Sequence, residues 1–379
     1  MLPFARMVRY GNVVAAKNHI KMVATGTGFF FVLSSTGDLW ASGDNTYHQF
    51  GTTHTTSYFG TYLKIDTNID GIWASTNFSV MKKRNGTFWY CGLGGIHNTQ
   101  TEWEQITAFG DLDPNDIVDV YCSFNMVHFK NSTGNLYAIG MNGNSNAGTG
   151  IGAGTQVTEC TLVPNITNVK YMVYTSTAGT VFALTNDGKA YGWGRNANGE
   201  LGQGNNTAIS TPKLIESGVD SVFSGYSALG YTAGSWVRTA GNQIYGQLGN
   251  GNYSTQHVNQ MTFNAVNFNV VPPGTIPIYR SGGEFNMGIV TSAGIYAAGY
   301  STGLFGTGVA SGTGNALFTK GVVPFLMSDI IGANTMSQTS CIYSTDKLYQ
   351  SGNTKYIIGQ NGAAGNILNF IEVPVPWQE

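Results

Sequence analysis

Charge is scarce in this chain: 10% of its 379 residues are Asp, Glu, Lys or Arg, and 18 basic side chains stand against 20 acidic ones, for a formal net charge of −2. Nucleic-acid binding draws on a basic field over the phosphates, so so little cation excess points to no nucleic-acid partner. The run Lys82-Lys83-Arg84 is read as a solvated strand end before the turn glycine Gly86. The four cysteines, Cys91, Cys122, Cys160 and Cys341, show no C-x-x-C spacing and are expected to be buried thiols, neither a zinc set nor a disulfide framework. No apolar run is long enough for a membrane helix, and the N-terminal MLPFARMVRYGN has no apolar h-region, so neither membrane insertion nor signal-directed export is expected. Catalytic and cofactor signatures are missing as well: there is no G-x-S-x-G, H-E-x-x-H, phosphate loop or dinucleotide fingerprint. The six histidines share no repeat position. The expectation is a non-enzyme without a cofactor.

What the chain has in excess is glycine, 52 residues, with 12% aromatics, and the glycines fall in register. The clearest unit is Asp187 to Pro212, DGKAYGWGRNANGELGQGNNTAISTP. Taking Gly194 as position zero, equivalent glycines stand at Gly43, Gly92, Gly140, Gly241, Gly299 and Gly352, spaced 49, 48, 54, 47, 58 and 53 residues apart. Position minus four is apolar throughout (Leu39, Phe88, Leu136, Ala190, Val237, Ile295, Leu348). Position minus three is aromatic in six copies (Trp40, Trp89, Tyr137, Tyr191, Tyr296, Tyr349) and Arg238 in the fifth, where Trp236 is expected to fill the space. Four copies place a turn glycine at minus six (Gly37, Gly86, Gly134, Gly188), and an ungapped register carries small residues to minus seventeen, including Ser224. Adjacent apolar and aromatic positions between turn glycines describe a strand buried on both faces, and each copy is a small antiparallel sheet. Periods near 50 fit propeller blades, because sheets that cannot bury their own faces pack radially. The fold class expected is all-β, a seven-bladed β-propeller over residues 20–379, with residues 1–19 as an N-terminal strand or attachment segment.

Proline marks the last strand of several copies (Val163-Pro164, Thr211-Pro212, Val323-Pro324, Val373-Pro374), which places those strands at sheet edges. Irregular segments interrupt the scaffold at residues 92–114, 142–158, 262–281 and 304–322, and differences in binding belong there.

The run Gly188-Lys-Ala-Tyr-Gly-Trp-Gly-Arg-Asn-Ala-Asn-Gly-Glu-Leu-Gly202 resembles the repeat of the regulator-of-chromosome-condensation family, G-x-x-Y-x-W-G-x-N-x-x-G-x-L-G. Gly241-Asn-Gln-Ile-Tyr-Gly-Gln-Leu-Gly249 and Gly43-Asp-Asn-Thr-Tyr-His-Gln-Phe-Gly51 repeat its second half. The resemblance implies protein binding by the loop faces of a ring, as in exchange factors for a small GTPase, ubiquitin-ligase modules and β-lactamase inhibitors, and implies no shared chemistry. The chain departs from the chromatin-associated member in having no basic N-terminal tail. It also lacks the family's histidine near minus fourteen, where Phe29, Phe78, Met126, Thr180, Ser227, Phe285 and Gln338 stand.

Two sites are candidates. Asp66, Asn68 and Asp70 space oxygen ligands as the start of a calcium loop does, but position twelve is Asn77; Asp111, Asp113 and Asn115 form a poorer set. Ordinary Asx turns are the preferred reading of both clusters, because Asp and Asn favour loops for their own backbone hydrogen bonds. Trp103, Phe268 and Tyr279, in the irregular segments, are candidate anchors for a protein partner, since aromatics dominate interface energetics. The competing reading folds each ring onto its own blade. Low charge, a Gly, Asn, Thr and Ser-rich surface and no export signal lead to the functional expectation of a bacteriophage virion component, located in the virion: a capsid decoration, tail or host-attachment protein bound to virion proteins and host surface. The alternative is a cytoplasmic protein inhibitor or regulator that binds a partner enzyme or GTPase through the propeller face.

Overall fold

The computed structural model describes residues 17–51, 57–96, 99–123, 125–175, 179–252, 259–266, 277–281 (backbone only), 286–300, 305–308, 315–336, 339–353, 357–358 and 365–377. Among these residues the regular structure is almost wholly strand. The first sheet is β1 (Ile20–Gly26), β2 (Phe29–Ser34), β3 (Leu39–Asp44) and β4 (Tyr58–Asp66). The second is β5 (Ile69–Ala74), β6 (Phe78–Lys83), β7 (Phe88–Gly92) and β8 (Gln100–Gln105). The third is β9 (Ile117–Ser123), β10 (Met126–Asn131), β11 (Leu136–Asn142) and β12 (Thr155–Leu162). The fourth is β13 (Val169–Tyr174), β14 (Thr180–Thr185), β15 (Lys189–Gly194) and β16 (Ile209–Ser217). Then follow β17 (Ser221–Gly225), β18 (Ala228–Ala233), β19 (Trp236–Asn242) and β20 (Asn259–Ala265), and β21 (Pro277–Ser281), β22 (Asn286–Thr291), β23 (Gly294–Gly299) and β24 (Asn315–Lys320). The last sheet is β25 (Gly332–Met336), β26 (Thr339–Tyr343), β27 (Leu348–Asn353) and β28 (Asn366–Val373).

Each sheet is an antiparallel meander packed face to face on the next, the arrangement of a β-propeller. The expected count of separate sheets needs correction: five sheets have four strands, and β17–β24 form one eight-stranded sheet. The join is a single bridge between Gly225 of β17 and Met287 of β22. Its cause is Gly225, whose missing side chain admits the neighbouring backbone; a Cβ there would lie 2.5 Å from the Asn286 carbonyl oxygen.

The second strand of each meander is sandwiched on both faces, so β2 (FFFVLS) and β14 (TVFALT) are buried at every residue, while the outer β4 (YFGTYLKID) is half-exposed. The minus-four residues are buried in every copy. At minus three Tyr296 and Tyr349 are buried and the other five residues half-buried, and lysines cover three of the seven: Lys64 over Trp40, Lys83 over Trp89 and Lys320 over Tyr296. Pro212 lies inside the edge strand β16, as its missing donor requires. The other marked prolines follow β12, β24 and β28 directly or within a few residues.

All seven zero-position glycines have φ between 95° and 129°. A side chain at Gly43, Gly92 or Gly194 would meet the carbonyl oxygen of Gly28, Asn77 or Gly179 within 2.2–2.4 Å. The recurrent glycine is therefore dictated twice over, by dihedral and by space.

The ungapped register fails in the last three copies. Phe29, Phe78, Met126 and Thr180 pair with their glycines at minus fourteen, but Ala228, Asn286 and Thr339 pair at minus thirteen. The reason lies in the hairpins. Copies one to four use three-residue loops that end in a left-handed glycine, whereas Gly234-Ser235 and Ser292-Ala293 are two-residue loops. Gly225, not Ser224, is thus the small residue opposite the inner turn. Trp236 does not fill the space beside Arg238 either: it sits at the hairpin tip, 57% exposed.

Closure needs no exchanged strand, because β1 to β4 and β25 to β28 are each continuous in sequence. The first and last sheets share an apolar cluster that holds Ile20, Val23, Phe30 and Val32 against Cys341, Leu348, Ile357 and Val373. The Asn334 amide donates to the Val23 carbonyl (2.7 Å), and the Tyr62 hydroxyl donates to the Pro374 carbonyl (2.9 Å).

Candidate functional site: two loop faces and a central channel

An antiparallel meander sorts its connections by face. The turns after first strands and the loops after third strands emerge on one side, here the loop face. Hairpins after second strands and the links between sheets emerge on the other, the connector face. First strands line the centre.

On the loop face the repeat's asparagine organises the long loops of three copies. The Oδ1 atoms of Asn45, Asn142 and Asn196 accept from the backbone N–H five residues on, at Phe50, Ala147 and Leu201 (2.8–3.0 Å). Asn142 and Asn196 also donate to two loop carbonyls each. The loop at 142–158, which reads as an insertion in sequence, is therefore built on the same device. Four residues after this asparagine position, Gln49 and Glu200 accept from the N–H two residues earlier (2.9 Å), and Gln247 does the same. Glu200 is fully buried, and desolvation raises its pKa above the ordinary carboxylate range despite the bonds from Asn198.

Among the described residues the connector face carries the apolar side chains most open to water. Val322 and Leu326 are each 70% exposed, and Val118, Trp236 and Leu162 lie at the same face, at the ends of strands or in hairpin tips. The exposed apolar residues of the loop face, Tyr47, Leu93 and Met141, are less open.

The channel encloses about 410 Å³ between β1, β5, β9, β13 and β25. Behind its wall lies His128, fully buried, whose ring bonds the Tyr174 hydroxyl at 2.8 Å and the Ala147 carbonyl at 3.1 Å. Burial depresses its pKa to about 4, which the carbonyl bond only partly offsets. No sequence motif announces this pair, because His128 and Tyr174 belong to different copies.

Trp103 is half-buried on β8; its indole N–H donates to the Phe50 carbonyl of the preceding sheet (2.9 Å) and its ring lies over Gly51. Phe268 lies outside the described residues, and of Tyr279 only the backbone, in β21, is described. Whether the three rings share one surface therefore lies outside the described residues. Asp66 pairs with Lys83 and Asp70 with Lys21, each on a different lysine, and Asn68 occupies a left-handed turn. Asp113 caps a short 3-10 turn by accepting from the Asn115 N–H. Among the described residues no three His, Cys, Asp or Glu side chains cluster as a metal site, and no helix is long and apolar enough to cross a membrane. The cysteines are free; burial pushes the Cys160 and Cys341 thiols up to about 12 and holds Cys91 well above the ordinary thiol range.

Models of the regulator of chromosome condensation (RCC1) repeat match residues 187–229 and 20–49. The chain is 31% identical over 121 residues to a Protein RCC2 homolog of Danio rerio, covering 31% of this chain and 23% of that protein. It is 32% identical over 130 residues to the E3 ubiquitin-protein ligase HERC2 of Homo sapiens, covering 32% of this chain and 3% of that one. The chain therefore spans less than a quarter of the curated relatives it matches. Among solved structures, Prp20p of Saccharomyces cerevisiae superposes with a TM-score of 0.69 at 18% identity over 85% of this chain and 82% of that one. Human WBSCR16 superposes with a TM-score of 0.69 at 17% identity over 86% and 87%. Two stretches of RCC1 repeat, the ring of antiparallel sheets and these structural neighbours together make this chain an RCC1-like β-propeller.

Proposed function

We propose that the chain is a non-enzymatic protein-binding propeller that captures a partner, an enzyme or a small GTPase, on its connector face. The observation that carries this reading is the concentration there of the most exposed apolar side chains among the described residues, Val322, Leu326, Val118 and Trp236. Exposed aliphatic and aromatic groups lose their contact with water on docking; Val118 and Trp236 stand at strand ends, and Val322 and Leu326 in the link between β24 and β25. Support also comes from Prp20p, whose binding to Gsp1p and histones is known, and from yeast RCC1 bound to Kap60. The virion role expected from composition has no support in these relatives, and binding of an enzyme or GTPase is the better reading. The ring itself we read as seven blades, with the eight-stranded sheet as two. What supports this is an apolar cluster holding Phe223, Val237 and Leu248 against Met287, Ile289 and Tyr296, the same kind of cluster that separates every other pair of sheets.

The test compares a connector-face variant, Trp236→Ser with Val322→Ser and Leu326→Ser, with a loop-face variant, Tyr47→Ser with Leu93→Ser. Binding to purified small GTPases and to partners identified by cross-linking is measured alongside melting temperature. The proposal expects binding to fall only in the first variant, with melting unchanged in both. Loss confined to the loop-face variant would refute it.

A further inference from the structure

Five aromatic side chains from neighbouring elements line the channel: Trp73 of β5, Tyr121 of β9, Tyr171 and Tyr174 of β13, and Tyr343 of β26. Two rings fit because glycine stands behind them. A Cβ at Gly71 would fall 2.4 Å from the Trp73 ring, and one at Gly332 would fall 2.0 Å from that of Tyr343. The tyrosines of β13 are pinned by their hydroxyl groups on structure outside the channel. Tyr171 accepts the Val222 N–H of the next sheet (2.7 Å), and Tyr174 is held by His128 of the preceding one (2.8 Å). With their polar ends fixed on neighbouring sheets, the two tyrosines form a preorganised wall. Trp73 is held in turn by stacking on Phe88 at 6.4 Å and 28°.

Among the described lining residues there is one carboxylate, Asp119, which is 38% exposed. Its Oδ1 takes the Val120 N–H, and Lys130 Nζ lies 3.8 Å from Oδ2 while donating to the Lys170 carbonyl at 2.9 Å, so the pairing with lysine is loose. Aromatic faces carry negative quadrupole potential, and a carboxylate beside them adds charge of the same sign. Such a wall repels anions and favours a cation whose body is apolar. The volume suits a small molecule.

We propose that the central channel is a binding site for a small free organic cation of the alkylated ammonium class, held by Trp73, Tyr121, Tyr171 and Tyr174 with Asp119 as counter-charge. This inference stands independently of the protein-binding reading of the connector face.

Calorimetric titration of the full chain with choline chloride tests it, with 3,3-dimethylbutan-1-ol as the neutral isostere. Saturable choline binding is expected, about tenfold tighter than for the isostere, the ratio that a desolvated cation–π contact supplies. Asp119→Asn should weaken choline about tenfold with an unchanged melting temperature, since the side chain is partly solvated. Met22→Lys, which places a cation at the wall, should abolish binding whatever the aspartate substitution does. Absence of saturable choline binding, equal binding of the isostere, or undiminished binding by a folded Met22→Lys protein would each overturn the proposal.

Discussion

Tyr174 donates its phenolic proton to Nδ1 of His128 across 2.8 Å, because the opposite nitrogen, Nε2, is committed as a donor to the Ala147 carbonyl at 3.1 Å. The buried imidazole is thereby fixed as one neutral tautomer, and a second proton would face the Tyr174 donor. Its pKa is lowered to about 4 by burial, so the unfolded chain binds the extra proton first on acidification. Stability should fall as pH drops from about 6.5 to about 4, by on the order of 3 kcal/mol. Urea unfolding across that window checks this against His128→Gln, whose amide can accept from Tyr174 and donate to Ala147 without titrating. The variant should show a shallower acid limb; an identical limb would assign acid sensitivity to other groups.

Glu200 has the opposite sign. Its folded pKa is raised by desolvation, so its contribution is fully present below the unfolded carboxylate range and is lost as pH rises through the folded value. Gln49 and Gln247 show that an amide makes the same 2.9 Å acceptor bond in other copies. Glu200→Gln should therefore stabilise the chain at neutral pH, with the gain vanishing in acid. Chemical denaturation at both pH values reads it, and a loss at neutral pH would mean that the charge is used.

Gly194→Ala and Gly204→Ala separate steric from dihedral cost. Both glycines have positive φ, 95° and 75°, but a Cβ at Gly194 would lie 2.2 Å from the Gly179 carbonyl oxygen, while none is within 4 Å at Gly204. The expected losses are about 3 kcal/mol or more for the first and about 1 kcal/mol for the second. Equal losses would remove the close approach as the reason for the repeat glycine.

Trp103→Phe should lower stability by about 1 kcal/mol, by removing the donor to the Phe50 carbonyl. Thermal melting together with partner binding decides between the two readings of this residue. An unchanged melting temperature with lost binding would make Trp103 an interface anchor.

The sequence by itself determined the blade interior. Apolar minus-four residues, from Leu39 to Leu348, and the glycines from Gly43 to Gly352 are dictated by local requirements, burial on two faces and a positive φ against a carbonyl, and such requirements repeat with the chain. Hairpin length did not read through: Gly234 and Gly294 lie one residue from the expected turn position, and an ungapped pattern cannot distinguish a shorter loop from a substitution. Everything that joins one copy to another was decided in three dimensions. The Tyr174–His128 bond, the Gly225–Met287 bridge, the pairing of Asp66 and Asp70 with separate lysines and the aromatic wall of the channel each couple residues that share no local pattern. They meet only because radial packing lays neighbouring sheets face to face and brings their first strands to one axis, and periodicity along a chain carries no information about which non-equivalent side chains face each other there.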